Sequence, residues 1–468
     1  MGINKNFKKR LRALWKKSRV IRPLYWRVYK HTVFDWQMTK LYPRTYEAER
    51  SKPVDRRKVL FVEPTQTKLS NNFQLLYREL SEHYDFDIHV HYLRKTTVSS
   101  KEARRLSVEM IRDAATAGYI FVDEAMHELS FFDMRPETVY TQLWHACGAF
   151  KRFGMSTADY IFGDSRKEHE RYPDNRNYTY VTVSSPEVIW AYEEALSLKD
   201  QPGVVRPVGV SRTDFFFDPA HAEEARERLC QLFPAARGRK VILYAPTFRG
   251  RVREATTPDC FDLQAFAEGL KKIDRDDSNT AAVGSNAATA DSGASNTAEN
   301  ASAGADTNDA AGSVAASGDY VIILKHHPHV KELPKIPAAL EGTFAYDATK
   351  TMSIEDLILV SDICISDYSS VIYEYSLMNR PMLFYAYDLE DYFDWRGFYY
   401  PYEDLTPGPV CRTCEEMIEW INHIDENFDP QQVASFRERF MSACDGHATE
   451  RIMELVFGAE TLDERRKK

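Results

Sequence analysis

The sequence predicts an α/β protein of two units of similar size, each a parallel sheet covered by helices, with the units facing one another across a cleft. Three observations lead there. Short apolar runs alternate with helical patterns from about residue 58 onward, and the series restarts near residue 204. The apolar runs are almost uninterrupted, as strands buried on both faces must be. The chain has 468 residues, 43% of them hydrophobic, enough for two such cores.

In the first unit, residues 58–62 (KVLFV) read as a buried strand and 86–93 as an alternating one. A helix over 108–117 leads into a strand at 119–122, and further strands fall at 140–145, 160–162 and 178–183. Residues 186–198 form a helix opened by Pro186, whose missing N–H is harmless in a first turn. In the second unit the strands are 205–210, 241–245, 320–325, 363–366 and 382–385. Its helices are 222–232, 263–273, 354–360, 370–378, 415–424 and 448–457. The two domains are therefore 51–203 and 204–468. Residues 278–318 interrupt the second with Ala, Ser, Gly, Asn, Thr and Asp and contain no aromatic. Such a composition cannot bury enough surface to offset its ordering entropy, so it reads as a disordered surface insertion whose removal spares the fold.

Residues 1–50 stand apart. Residues 1–34 carry eleven Lys or Arg and no acid, while the chain as a whole has a net charge of −9. On a helix, Phe7, Leu11, Leu14 and Trp15 would share one face, with Lys5, Lys9, Arg12 and Lys16 on the other. A basic amphipathic segment of this kind suits an anionic membrane surface, where each cation contributes ~1 kcal/mol. A solvated basic tail is the ordinary alternative. The rest of the chain sums to −20, which disfavours nucleic acid as a partner. No run approaches the ~20 apolar residues of a membrane span, and the N-terminus lacks the apolar core of a secretory signal. The expected location is the cytoplasmic face of the membrane, as a peripheral protein. Seven scattered cysteines agree with a cytoplasmic setting. The lone pair Cys411 and Cys414 reads as two small residues at a helix start rather than as a metal site.

Five clusters at expected strand ends carry the candidate chemistry. The first contains Trp144, His145, Ala146, Cys147, Gly148, Ala149, Phe150 and Lys151. A histidine past a strand, followed by small residues and a cation, can act as a base beside an anion-binding turn. The second, residues 209–214, and the third, residues 244–249, each place an arginine (Arg212, Arg249) just past a strand. There a guanidinium can grip phosphate with two parallel bonds, although either alone reads as readily as a surface arginine. The fourth is Lys325, His326, His327, Pro328 and His329, where one histidine can donate to a developing phosphate charge. A metal site is the competing idea, but no carboxylate or cysteine stands beside them at ligand spacing. The fifth runs from Ser366 and Asp367 through Ser369 and Ser370 to Glu374. Paired serines opening a helix bring hydroxyls and unpaired N–H groups to one anion site, and a plain helix cap is equally consistent.

In order, these clusters resemble the CDP-glycerol glycerophosphotransferase family, the teichoic-acid primases and polymerases. The family pattern is Trp-His-Gly, Gly-x-Pro-Arg-x-Asp, Pro-Thr-(Trp/Phe)-Arg, His-Pro and Asp-Tyr-Ser-Ser. All five have counterparts here, spanning roughly 140 to 375, and the likeness continues through residues 385–392, 396–399 and 407–409. The resemblance implies two Rossmann-like domains facing a cleft, a glycosyltransferase-B-like fold. It implies transfer of glycerol phosphate from CDP-glycerol to a hydroxyl of a lipid-linked acceptor or growing chain, with release of CMP. It makes His145 the general base and His327 the group that stabilises charge on the phosphate. Ser369 and Ser370 would hold the diphosphate. Arg212, Thr247, Phe248 and Glu374 match donor contacts, and the same motifs bring Ala146, Cys147, Gly148, Ala149, Lys151, Arg249, His326, Pro328 and Asp367 to the substrate.

Four positions depart from the pattern: Ala146 replaces Gly, Cys147 replaces Thr, Ser211 replaces Pro, and Glu374 replaces Asp. They leave CDP-ribitol as the alternative donor. No Asp-x-Asp pair closes a strand, so the transfer is expected to need no metal and no other cofactor. Two rivals remain: a sugar-nucleotide glycosyltransferase or epimerase, which would release UDP or GDP, and a non-catalytic membrane adaptor. The order of the five motifs favours the transferase over both, and homo-oligomerisation is left open.

Overall fold

The computed structural model describes residues 30–158, 160, 165–250, 255–258, 260–270 and 319–467. Two six-stranded sheets, parallel throughout their ladders, form the framework. The first has the order β2-β1-β3-β4-β5-β6 and the second β12-β11-β10-β7-β8-β9. The strands of the first are β1 (Asp55–Glu63), β2 (Asp87–Tyr92), β3 (Ala117–Val122), β4 (Val139–Gln142), β5 (Tyr180–Thr182) and β6 (Val205–Arg206). Those of the second are β7 (Lys240–Tyr244), β8 (Tyr320–Leu324), β9 (Ala345–Asp347), β10 (Ile363–Ser366), β11 (Met382–Tyr385) and β12 (Val410–Cys411).

Burial on both faces explains the uninterrupted apolar runs. Along β1, Leu60 and Val62 join one core cluster while Val59 and Phe61 join another. Along β7, Val241 and Leu243 pack on one side, Ile242 and Tyr244 on the other. Side chains alternate across a strand, so only a sheet covered on both faces accepts apolar residues at every position. The strand order reverses between β1 and β3 and between β7 and β10. Crevices open at such reversals, beyond the strand C-termini.

Seven helices matter for the site: α1 (Asn71–His83), α2 (Ser100–Ala114), α3 (Ile354–Val360), α4 (Val371–Ser376), α5 (Cys414–Asn422), α6 (Pro430–Met441) and α7 (Ala448–Phe457). Ser99 caps α2 by accepting from the Glu102 N–H at 3.2 Å, so this helix begins earlier than expected and Ala117 already belongs to β3. The strand expected at 140–145 stops at Gln142, because Trp144 adopts φ +58° and leaves the sheet. Tyr160 stands outside any strand. Of the CxxC pair, Cys411 ends β12 and only Cys414 opens a helix. Burial pushes both thiols up to about 12.

The boundary expected at residues 203 and 204 shifts in two ways. The strand at Val205–Arg206 pairs with β5 and so completes the first sheet. At the far end, α7 crosses back: Ile452, Met453, Val456 and Phe457 pack on Val59, Phe61, Tyr119 and Phe121. The Phe457 ring lies 4.4 Å from Tyr119 and 4.8 Å from Phe86. Residues 1–29 of the basic segment and all of 278–318 lie outside the described residues. Among the described residues no helix is long and apolar enough to cross a membrane.

Candidate active site

A cavity of about 490 Å³ lies where the two sheets meet, lined from the first by Asn71 and His145 and from the second by Pro246, His327, Ser369 and Ser370. Its second-sheet walls follow β7 and β10, the strands flanking the reversal in order, and β8 beside them.

His145 reaches it on a turn under tension. A positive φ costs a bulky L-residue of order 1–3 kcal/mol, and such residues persist where their surroundings hold them. Here the Gln142 side chain accepts from the Trp144 N–H at 2.9 Å and donates to the Glu124 carbonyl at 3.1 Å. The His145 ring stacks on Trp144 at 4.5 Å and is otherwise exposed. Its Nδ1 sits 2.9 Å from the Asp123 carbonyl oxygen. A carbonyl only accepts, so Nδ1 carries the proton and Nε2 keeps its lone pair.

His327 has the opposite arrangement. Its Nδ1 accepts the His329 backbone N–H at 3.1 Å, so in the neutral ring the proton is on Nε2. Burial, with His329 and Lys151 nearby, lowers its pKa to about 4. The ring packs on Phe248 at 4.8 Å. His326 also lines the cavity: its Nδ1 lies 2.9 Å from the Thr257 hydroxyl, and burial lowers its pKa too.

The remaining cavity charges are arranged around two cations. Arg212, from the turn after β6, pairs with Glu374 on α4, both nearly buried. Burial raises the Glu374 pKa against the pull of Arg212. Lys325 donates to the carbonyls of Thr349 at 3.0 Å and Met352 at 2.5 Å. That fixes the loop before Ser353, whose hydroxyl caps α3 by accepting from Asp356 N–H at 2.9 Å. Ser353 and Lys325 both line the cavity.

Several residues expected at the substrate are engaged in contacts within the protein. Ala146, Cys147, Gly148, Ala149 and Lys151 do not line the cavity. Tyr192 donates to the Ala146 and Gly148 carbonyls, each at 3.1 Å, and Gly148 N–H donates to Ser184 at 3.0 Å. A Cβ at Gly148 (φ +61°) would stand 2.3 Å from the Tyr373 ring, so the close backbone approach made here is to a tyrosine. Burial pushes the Cys147 thiol far up. Arg249 grips Asp388 with Nε at 2.7 Å and Nη2 at 2.9 Å, and Asp367 with Nη1 at 3.0 Å. Asp367 in turn accepts from Thr247 N–H at 2.8 Å. Arg249, Asp367, Thr247 and Phe248 therefore brace the loops that carry Pro246 and Ser369 and do not line the cavity themselves.

The sequence reading missed Asn71 and the polar cluster behind His145. Asp123 accepts from Ser70 at 2.6 Å and from Asn72 at 3.0 Å. Glu63 is buried beside it, its pKa pushed up to about 7 by burial and by Asp123. The available signal was an acid closing an apolar strand, followed by Ser70-Asn71-Asn72 before a helical apolar pattern.

Paired parallel sheets with a cavity at their reversals define a two-domain α/β protein of the glycosyltransferase-B-like type. The chain belongs to the CDP-glycerol:poly(glycerophosphate) glycerophosphotransferase family, whose model matches residues 44–458. It is 32% identical to the teichoic acid poly(ribitol-phosphate) polymerase of Bacillus spizizenii over 426 residues, 90% of this chain but 60% of that protein. It is 30% identical to the teichoic acid ribitol-phosphate primase of the same species over 410 residues, 86% of this chain and 92% of that protein. The solved structure of the wall teichoic acid polymerase TagF matches with a TM-score of 0.66 at 18% identity, covering 99% of each chain, which is a likeness of fold.

Proposed function

We propose that this chain transfers a polyol phosphate from a CDP-activated donor to a hydroxyl of a lipid-linked acceptor or growing teichoic-acid chain, releasing CMP. The observation that carries the proposal is the pair of complementary imidazoles on one cavity: His145 with an open Nε2 and His327 with a proton on Nε2. The acceptor hydroxyl gives its proton to His145 Nε2 as its oxygen attacks the β-phosphorus. The bond from that phosphorus to the bridging oxygen breaks, and CMP leaves with the electron pair. His327 Nε2–H donates to the phosphoryl oxygens as their charge grows, and Ser369 and Ser370 offer hydroxyls to the diphosphate. One base contributes about 10²–10⁴-fold, so alignment and electrostatics carry the rest.

For the donor, the two relatives at 30% identity or more described above are named for ribitol phosphate. That favours CDP-ribitol over the CDP-glycerol of the family's description. The basic residues 1–34 support a peripheral position on an anionic membrane, at its cytoplasmic face. The test is CMP release from CDP-ribitol and from CDP-glycerol with a lipid-linked acceptor analogue, in wild type, His145→Ala and His327→Ala. Release that collapses in both variants supports the proposal, and the productive donor decides the polyol. Release from neither donor overturns it.

A further inference from the structure

We propose that His89, His91 and Asp113 form a site for a divalent transition-metal ion such as Zn²⁺, pinning the outer strand of the first sheet to the helix that covers it. The strand β2 is the edge of that sheet, and Asp87, His89 and His91 project from one of its faces. Asp113 stands in the last turn of α2. Its Oδ2 lies 2.6 Å from His89 Nδ1 and 2.9 Å from His91 Nε2. The three ligand atoms all fall within 4.8 Å of one another. Small side-chain rotations would bring each to the ~2.0–2.2 Å that zinc requires.

The surroundings are those of a ligand set. On the far side of the His89 ring, Nε2 lies 3.2 Å from Asp87 Oδ2. A carboxylate in that place fixes the tautomer that leaves Nδ1 for an ion. Lys58 Nζ holds the other oxygen of Asp113 at 2.8 Å and also donates to Thr116 at 2.9 Å, so Oδ2 is the oxygen presented. The carboxylate is 16% exposed, His91 20% and His89 37%. An open groove of about 460 Å³, lined by His91, Thr67, Arg94 and Glu109 among others, gives an ion a way in.

Two imidazoles, one carboxylate and an open fourth position suit Zn²⁺, Co²⁺ or Ni²⁺ and not the all-oxygen preference of Mg²⁺ or Ca²⁺. None of these residues lines the catalytic cavity, and CMP release is expected to proceed in their variants.

The experiment titrates the EDTA-washed full chain with Co²⁺ and follows visible d–d absorption, then displaces the ion with Zn²⁺ and records the melting temperature. A single Co²⁺ per chain is expected, with a band lost in His91→Gln, His89→Gln and Asp113→Asn and a Zn²⁺-dependent rise in melting temperature lost with it. The glutamine variants keep a polar side chain at half-buried edge positions, so they decide the matter where Asp113→Asn folds poorly. Absence of a band in wild type overturns the proposal. So does a band that survives the glutamine variants, as it would if the ion sat on His327 and His329.

Discussion

His145 and His327 both follow a strand, yet backbone partners set them to opposite tasks. The Asp123 carbonyl forces the proton onto His145 Nδ1, and the His329 N–H draws the lone pair of His327 Nδ1. His145→Ala is expected to cut CMP release by about 10²–10⁴-fold. The side chain is exposed, so the denaturation midpoint should hardly move; a large loss of stability would mean the ring is structural. His327 titrates at about 4 in the fold against 6.5 ordinarily. A depressed histidine contributes its full stability above 6.5 and loses it as the pH falls towards 4. Glu63 has the reverse sign, about 7 against 4.5, so its contribution is full below 4.5 and lost as the pH rises through 7. Glu63→Gln should therefore flatten the decline in melting temperature across that upper window, and an unchanged profile would refute the assignment. Arg212 and Glu374 are a buried pair. Removing one partner strands the other, so Glu374→Ala should cost ~3–5 kcal/mol by denaturant unfolding.

At the scale of elements, the turn after β4 and the helix α7 decide how the halves meet. The turn has no room for a Cβ at Gly148. Gly148→Ala is expected to lower stability and kcat together, because a moved turn also moves His145; a fully active, stable variant would show that Tyr373 gives way. The helix α7 covers the first sheet although it lies more than 300 residues beyond that sheet's central strands in the sequence. Asp214 anchors it by accepting from the N–H groups of Ala448 at 3.0 Å and Thr449 at 2.7 Å. Ser211, one of the four departures from the family pattern, bonds Thr449 at 2.8 Å. Phe457→Ala should cost ~3–5 kcal/mol, read from the shift in denaturation midpoint, since it empties an aromatic site in the core.

Across the whole molecule, β7 and β8 pair along their full lengths although residues 278–318 fall between them in the chain. A deletion of 278–318 is expected to retain the far-UV spectrum and CMP release, with failure to fold as the contrary result. The sequence by itself determined the α/β class, the strands at Ile363–Ser366 and Met382–Tyr385, and the helices Ile354–Val360 and Ala448–Phe457. Local pattern suffices for these, because period and apolar content report burial directly. The short edge strands β9 and β12 were not legible, since three and two residues carry no period. Only the tertiary structure separated Arg212, which lines the cavity, from Arg249, which braces it. The partners that decide between them lie far along the chain, Glu374 at a separation of 162 and Asp388 at 139. The same holds for the return of α7 to the first sheet and for the meeting of His89 and His91 with Asp113. Spacing along a sequence reports which face a residue takes, whereas contacts between elements depend on how the sheets pack.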